Sequence, residues 1–187
     1  MIILTGFGPY GKNTTNISSE IVKKLELTNL DFTVIKKVLP VSWDSGLYSL
    51  RKLLNQVKSK PKLVILLGIH ESKKLNIEKY AWNFVFGKDV KNRFKFGLIR
   101  FKSPFILRTI LNIDKSYLRL HNKVKISISN YPGIYLCNYI YYWALVISEQ
   151  KYPVIFIHIP HKIEINTGTK VIEKLIETSL SIHSNTM

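Results

Sequence analysis

Two runs of almost unbroken apolar residues constrain this chain more than anything else in it: Leu63-Val64-Ile65-Leu66-Leu67 and Val154-Ile155-Phe156-Ile157-His158-Ile159. A strand with one wetted face alternates apolar and polar residues. A run that does not alternate predicts a strand covered on both faces, as in a parallel sheet lying between layers of helices. Around these runs, strand and helix patterns take turns. Ile2 to Thr5 reads as a short strand. Ile17, Ile21, Val22 and Leu25 then fall on one helical face, with Asn16 placed to cap it. Phe32 to Leu39 is a β-branched run closed by Pro40, and Ser42 can cap a helix whose buried stripe is Leu47, Leu50, Leu53, Leu54 and Val57. Residues 75–85 and 94–109 alternate as strands or a hairpin, interrupted by Gly87, Gly97 and Pro104. A short helix over 114–121, a strand over Val124 to Ser129, a helix from the Cys137 segment to about Glu149 and an amphipathic helix over Thr169 to Ser181 complete the pattern. The β-α-β-α-β opening predicts an α/β fold whose sheet is largely parallel.

With 187 residues and no repeat, low-complexity tract or linker, one domain over residues 1–187 is expected. No apolar stretch reaches the roughly 18 uncharged residues of a membrane span, and Met1 to Thr5 is too short for the apolar part of an export signal. A single cysteine, Cys137, excludes an internal disulfide. The expected setting is therefore the reducing cytoplasm, away from membranes. His70, His121, His158, His161 and His183 show no metal-binding spacing, so neither a metal nor another cofactor is expected. Lys and Arg number 28 against 12 Asp and Glu, a formal charge of +16. Such a surface attracts polyanions, and residues 88–125 interleave Lys and Arg with Phe as single-strand nucleic-acid binders do. A solvated basic face gives the same composition.

Cys137 stands where a β-rich run breaks at Pro132-Gly133 and a helical pattern begins. Unpaired backbone N–H groups and the positive end of the helix dipole favour thiolate there, and a neighbouring imidazolium would add to the effect. A lone Cys inside the apolar stretch from Ile134 to Leu145 also fits a small buried hydrophobe. His158 lies near the carboxyl end of its strand, where α/β sheets gather reactive groups, with Pro160 closing the strand. By itself it equally fits a hydrogen-bonded core residue, and His161 falls beyond the proline. A thiol and imidazole acting together need a carboxylate to fix the ring, and Glu78, which interrupts an apolar stretch following the central strand, is the best candidate, with composition alone not separating it from Glu71.

Four blocks in order carry a resemblance. Thr5-Gly6-Phe7-Gly8-Pro9-Tyr10-Gly11 followed by Asn16 resembles the TGFxPFGG…NP opening of the type I pyroglutamyl peptidases, the pyrrolidone-carboxylate cysteine peptidases. Ile77-Glu78-Lys79-Tyr80-Ala81-Trp82-Asn83 is similar to that family's IERxAxN, Gly133 to Asn138 to its AGxYLCN, and Phe156 to Pro160 to its FIHxP. The similarity runs from residue 1 to about 163.

The resemblance implies a single-domain three-layer α/β/α sandwich with a twisted central sheet, and a catalytic triad of Glu78, Cys137 and His158. It implies removal of N-terminal 5-oxoproline from peptides through an acyl-enzyme. The oxyanion would be met by backbone N–H groups at the helix start. Phe7 and Tyr10 match the aromatics that sandwich the lactam ring, Asn16 of the opening motif is implied as a further substrate-binding residue, and Tyr135 and Leu136 match pocket walls. Assembly as a homodimer or homotetramer is implied as well. The chain departs from the family pattern at Lys79, where Arg is usual. It departs again at Ile69-His70-Glu71-Ser72, which replaces a glycine-rich turn, and over residues 87–111, which are shorter and help to close the family's pocket. Two readings follow. One is an exopeptidase; the other is a divergent member with lost or altered activity acting as a basic, nucleic-acid-binding protein.

Overall fold

Both apolar runs become central strands. The computed structural model describes residues 1–11, 14–27, 32–57 and 59–184, the side chains of residues 183 and 184 lying outside that description. Its elements are β1 (Ile2–Phe7), α1 (Ile17–Lys24), β2 (Val34–Leu39), α2 (Trp43–Gln56), β3 (Leu63–His70), β4 (Leu75–Glu78), β5 (Tyr80–Trp82) and β6 (Val85–Lys88). There follow β7 (Phe94–Gly97), β8 (Ile106–Arg108), a 3-10 helix (Lys115–Arg119), β9 (Ile126–Ser129), α3 (Leu136–Ser148), β10 (Val154–Pro160) and α4 (Ile165–Ser184).

Six strands form one sheet in the order β2-β1-β3-β10-β4-β9. The first four run parallel; β4 is antiparallel to β10 and parallel to β9. The pleat divides each buried strand between two cores. Ile2, Leu4, Ile65, Leu67, Ile155 and Ile157 point to α1 and α4, where Ile21, Val22, Val171, Ile172, Leu175 and Ile176 meet them. Ile3, Val64, Leu66, Val154 and Phe156 point to α2 and α3, meeting Trp43, Leu50, Leu54, Ile140 and Ala144. Each such aliphatic side chain fully buried contributes about 1.5–3 kcal/mol, so both faces of the sheet are held strongly. This is the expected sandwich.

Several boundaries differ from the sequence reading. Asn16 caps α1, its Oδ1 accepting from the Ser18 N–H at 3.0 Å. Ser42 stands at the cap position of α2 without capping it: its hydroxyl accepts from Arg93, and the Trp43 N–H donates to Asp89 Oδ2 at 3.1 Å. The 114–121 segment is a 3-10 turn capped by Asp114, and α4 starts four residues earlier than expected because Glu164 accepts from the N–H groups of Asn166 and Thr167. Residues 94–109 make no hairpin of their own; β6 pairs with β7 and β5 with β8, as two small antiparallel ribbons above α3.

Candidate active site

The same pleat builds the site. In register with β3, His158 lies beside Gly68; across β4, Phe156 opposes Glu78 and His158 opposes Asn76. His158 and Glu78 thus share the face that looks toward α3 and sit diagonally, within reach of their long side chains. Cys137 is the second residue of α3, whose entry Tyr135 occupies with extended backbone. The helix start is thereby set over the carboxyl ends of β3 and β10.

His158 Nδ1 donates to Glu78 Oε1 at 2.8 Å, with the two side chains 8% and 1% exposed. Cys137 is close enough to act on the same imidazole. Burial acts to lower the His158 pKa, but the interactions of Cys137 and Glu78 with the ring outweigh it and raise His158 to about 9, from an ordinary 6.5. Glu78 Oε2 is buried without a hydrogen-bond partner among the described residues, so Oε1 makes this carboxylate's link to the ring. The Tyr141 hydroxyl, itself fully buried, donates to the Glu78 carbonyl at 3.0 Å and fixes the backbone behind it. Glu71, which the sequence could not separate from Glu78, is exposed and pairs with His161 at 3.3 Å.

Phe7, Tyr10, Asn16, Tyr135 and Leu136, all five expected pocket residues, line one cavity with Cys137. It is small: about 420 Å³ even with the open solvent at its mouth included. Val41 and Ile69 line it too and were not foreseen. Ile69 had a signal, since it falls in the segment that departs from the family pattern; Val41 had none. Asn16 is committed to the fold: Oδ1 accepts from Ser18, and Nδ2 donates to the Gly8 carbonyl at 3.0 Å, bracing the loop that carries Tyr10. Burial first, and then Cys137, push the Tyr10 phenol up; Tyr135 rises through burial, then Asp89 and Cys137. Both phenols are uncharged at neutral pH, which leaves a neutral, mostly apolar slot.

The ribbon of β6 and β7 is fastened over this slot. The Tyr135 hydroxyl donates to the Lys88 carbonyl at 2.6 Å, and Gly87, at φ +136°, passes so close that a Cβ there would lie 2.8 Å from the Tyr135 ring. Asn138, fully buried next to Cys137, clamps the base of the ribbon: Oδ1 accepts from the Trp82 N–H, and Nδ2 donates to the Trp82 and Phe84 carbonyls. Asp89, from the turn, holds the start of α2 through Trp43 and binds Arg93, which also reaches Asp44 and Ser42. The start of the 87–111 region is therefore tied to the pocket wall through Gly87, Lys88 and Asp89.

The family model described as pyroglutamyl peptidase matches residues 1–184. The pyrrolidone-carboxylate peptidase of Pyrococcus furiosus is 31% identical over 169 residues, 86% of this chain and 80% of its own length. That of Oceanobacillus iheyensis is 33% identical over 177 residues, 89% of this chain and 88% of its own. In fold, the chain superposes on the pyrrolidone carboxyl peptidase of Thermococcus litoralis with a TM-score of 0.88 at 23% identity, over 100% of this chain and 96% of that one. The geometry around Cys137, the whole-length match and these relatives agree: the chain belongs to the pyroglutamyl peptidase family of cysteine peptidases.

Proposed function

We propose that the chain removes N-terminal 5-oxoproline from peptides, with Cys137 as nucleophile, His158 as proton carrier and Glu78 as the group that orients it. One observation carries this reading: a buried imidazole whose Nδ1 is 2.8 Å from a buried carboxylate and which is coupled to the one thiol of the chain, at the edge of a neutral slot. With Nδ1–H held by Glu78, Nε2 is left to take the thiol proton. The sulfur attacks the acyl carbonyl of the lactam residue, and its oxyanion meets unpaired N–H groups at the start of α3. Collapse expels the peptide amine, which leaves with the proton from His158. Water then attacks the thioester and gives its proton to His158; the thiol is regenerated and free pyroglutamate departs.

The slot suits the substrate. A lactam ring is flat, small and uncharged, so Phe7, Tyr10, Tyr135 and Leu136 offer area without a charge to desolvate, while Asn16 braces the loop beside them. The test is hydrolysis of a fluorogenic pyroglutamyl arylamide beside glutamyl and prolyl arylamides. Turnover of the first alone supports the reading. No turnover, or equal turnover of the prolyl compound, overturns it.

The surface supports three coarser expectations. Phe86, Phe94 and Phe96 are half or more exposed and pack edge to face on the ribbon, an apolar patch that favours a homodimer or homotetramer. The charge of +16 favours only weak, salt-labile association with nucleic acid, since the neutral slot is too small for a nucleotide. No helix among the described residues is long and apolar enough to cross a membrane; the proposed cytoplasmic setting rests on the single cysteine.

A further inference from the structure

β3 does not stop at Gly68. The pleat that turns Gly68 toward Cys137 turns His70, two residues on, to the same face, and its ring lies against His158 with centroids 5.2 Å apart and planes 23° apart. His70 belongs to the segment in which the chain departs from the family pattern. Its Nε2–H donates to the Lys74 carbonyl at 2.8 Å, so the returning loop fixes both the tautomer and the plane of the ring. Its own carbonyl accepts from the His161 N–H at 3.2 Å. The charged groups that face the ring are His158 from β10, Glu78 from β4 and Glu71 from the loop, while His161 pairs with Glu71 beside its carbonyl.

We propose that His70 is a positioning residue for the peptidase reaction: its ring stacks on His158 to hold that imidazole between Glu78 and Cys137, and its protonation sets a second cation against His158 and closes the site down in acid. The inference rests on the reading of His158 as proton carrier. Two imidazolium rings at this spacing, half shielded from water, repel. Since the reactive state holds a proton on His158, a proton on His70 competes with it, and the two titrate as a coupled pair. Burial lowers the His70 pKa below 6.5 and the His158 charge lowers it further, against the Lys74 carbonyl, Glu78 and Glu71. The ring is thus neutral while the enzyme works, and the repulsion engages only as pH falls.

Two measurements test this, one without turnover. In an NMR titration, the His70 ring resonance should change at a pH below its ordinary range in the unaltered chain and move upward in His158→Gln; an unmoved His70 midpoint would overturn the coupling. In kinetics, kcat/KM for the pyroglutamyl arylamide should fall on the acid side with a two-proton slope in the unaltered chain. In His70→Phe, which keeps a stacked ring without a charge, the slope should drop to one proton and the limb shift down by about half a pH unit. His70→Ala, which removes the ring, should lower kcat roughly tenfold at about pH 8 with KM within about twofold. Superimposable profiles for the unaltered chain and His70→Phe would overturn the acid closure, and unchanged kcat in His70→Ala would overturn the positioning. A chain that turns over nothing while its two histidines titrate as a coupled pair would refute the peptidase reading and leave the pairing standing.

Discussion

Adding a single methyl group at Gly68 should damage catalysis more than its size suggests. A Cβ at this buried position would lie 2.7 Å from Phe156 Cζ and 3.0 Å from Cys137 Sγ, where ordinary contact begins at 3.4 Å. To restore contact distances the ring must retreat by about 0.7 Å and the sulfur by about 0.4 Å. The ring has little room to do so, since it is packed against Phe7, Tyr141 and His158, the last at 4.8 Å between centroids. Strain therefore passes to Cys137 and His158, the partners of the proposed proton transfer. Overpacking of this kind costs about 1–3 kcal/mol of stability, or very roughly 3–10 °C in Tm for a chain of this size. Misplacement of reacting atoms by up to an ångström costs on the order of tenfold to a hundredfold in rate. Gly68→Ala should accordingly lower kcat for a pyroglutamyl arylamide by about that factor, and Phe156→Leu added to it should recover part of the loss by giving the methyl space. Tm from calorimetry and kcat are read on the same preparations. A Gly68→Ala protein with unchanged kcat and Tm would refute the close approach of β3 to the thiol; a lower Tm with unchanged kcat would refute its bearing on the chemistry.

Three other outcomes are expected. Glu78→Gln should keep the fold but lose about 10- to 10³-fold in kcat, because an amide orients the ring without stabilising its charge, whereas the exposed Glu71→Gln should change kcat by less than about twofold. Raising the pH should remove activity through about 9, where His158 loses its proton; since its folded pKa lies above the unfolded 6.5, the His158 contribution to stability is complete below 6.5 and fades as pH climbs through 9, as urea titrations at several pH values would show. Burial alone would raise the Asp89 carboxyl, but Arg93 and the N–H groups of Trp43 and Lys91 hold it down to about 2; Asp89→Asn should cost roughly 2 kcal/mol by weakening charged hydrogen bonds, and the stability that Asp89 provides, full above its ordinary 3.8, should be lost as pH falls toward 2.

The parts of this molecule that the sequence revealed are those whose cause is local. Leu63 to Leu67 and Val154 to Ile159 read as central strands because both their faces are buried, and Cys137 and His158 stood out because each lies where such an element ends or begins. Asn16 capped its helix as read, since a cap needs only the next few residues. What depended on distant partners was hidden. Asp89, 46 residues away, takes over the start of α2 from Ser42, and the pairings of β5 with β8 and β6 with β7 rest on short strands whose apolar residues do not choose a partner. Glu78 and Glu71 differ by position relative to the sheet, and no composition separates them; the antiparallel register of β4 on β10 does. Ile69 and His70 looked like a departure from a motif, and only the pleat of β3 turns the first into the pocket wall and the second onto His158.

The central claim is that Cys137 forms the covalent intermediate. The most direct measurement is a rapid acid quench of the chain with a pyroglutamyl ester, followed by peptide mass spectrometry. The account predicts a pyroglutamyl group on the peptide that carries Cys137, rising within the first turnover and absent in Cys137→Ala, which should also hydrolyse no arylamide. Continued hydrolysis by Cys137→Ala, or an acyl group borne elsewhere in the chain, would contradict it.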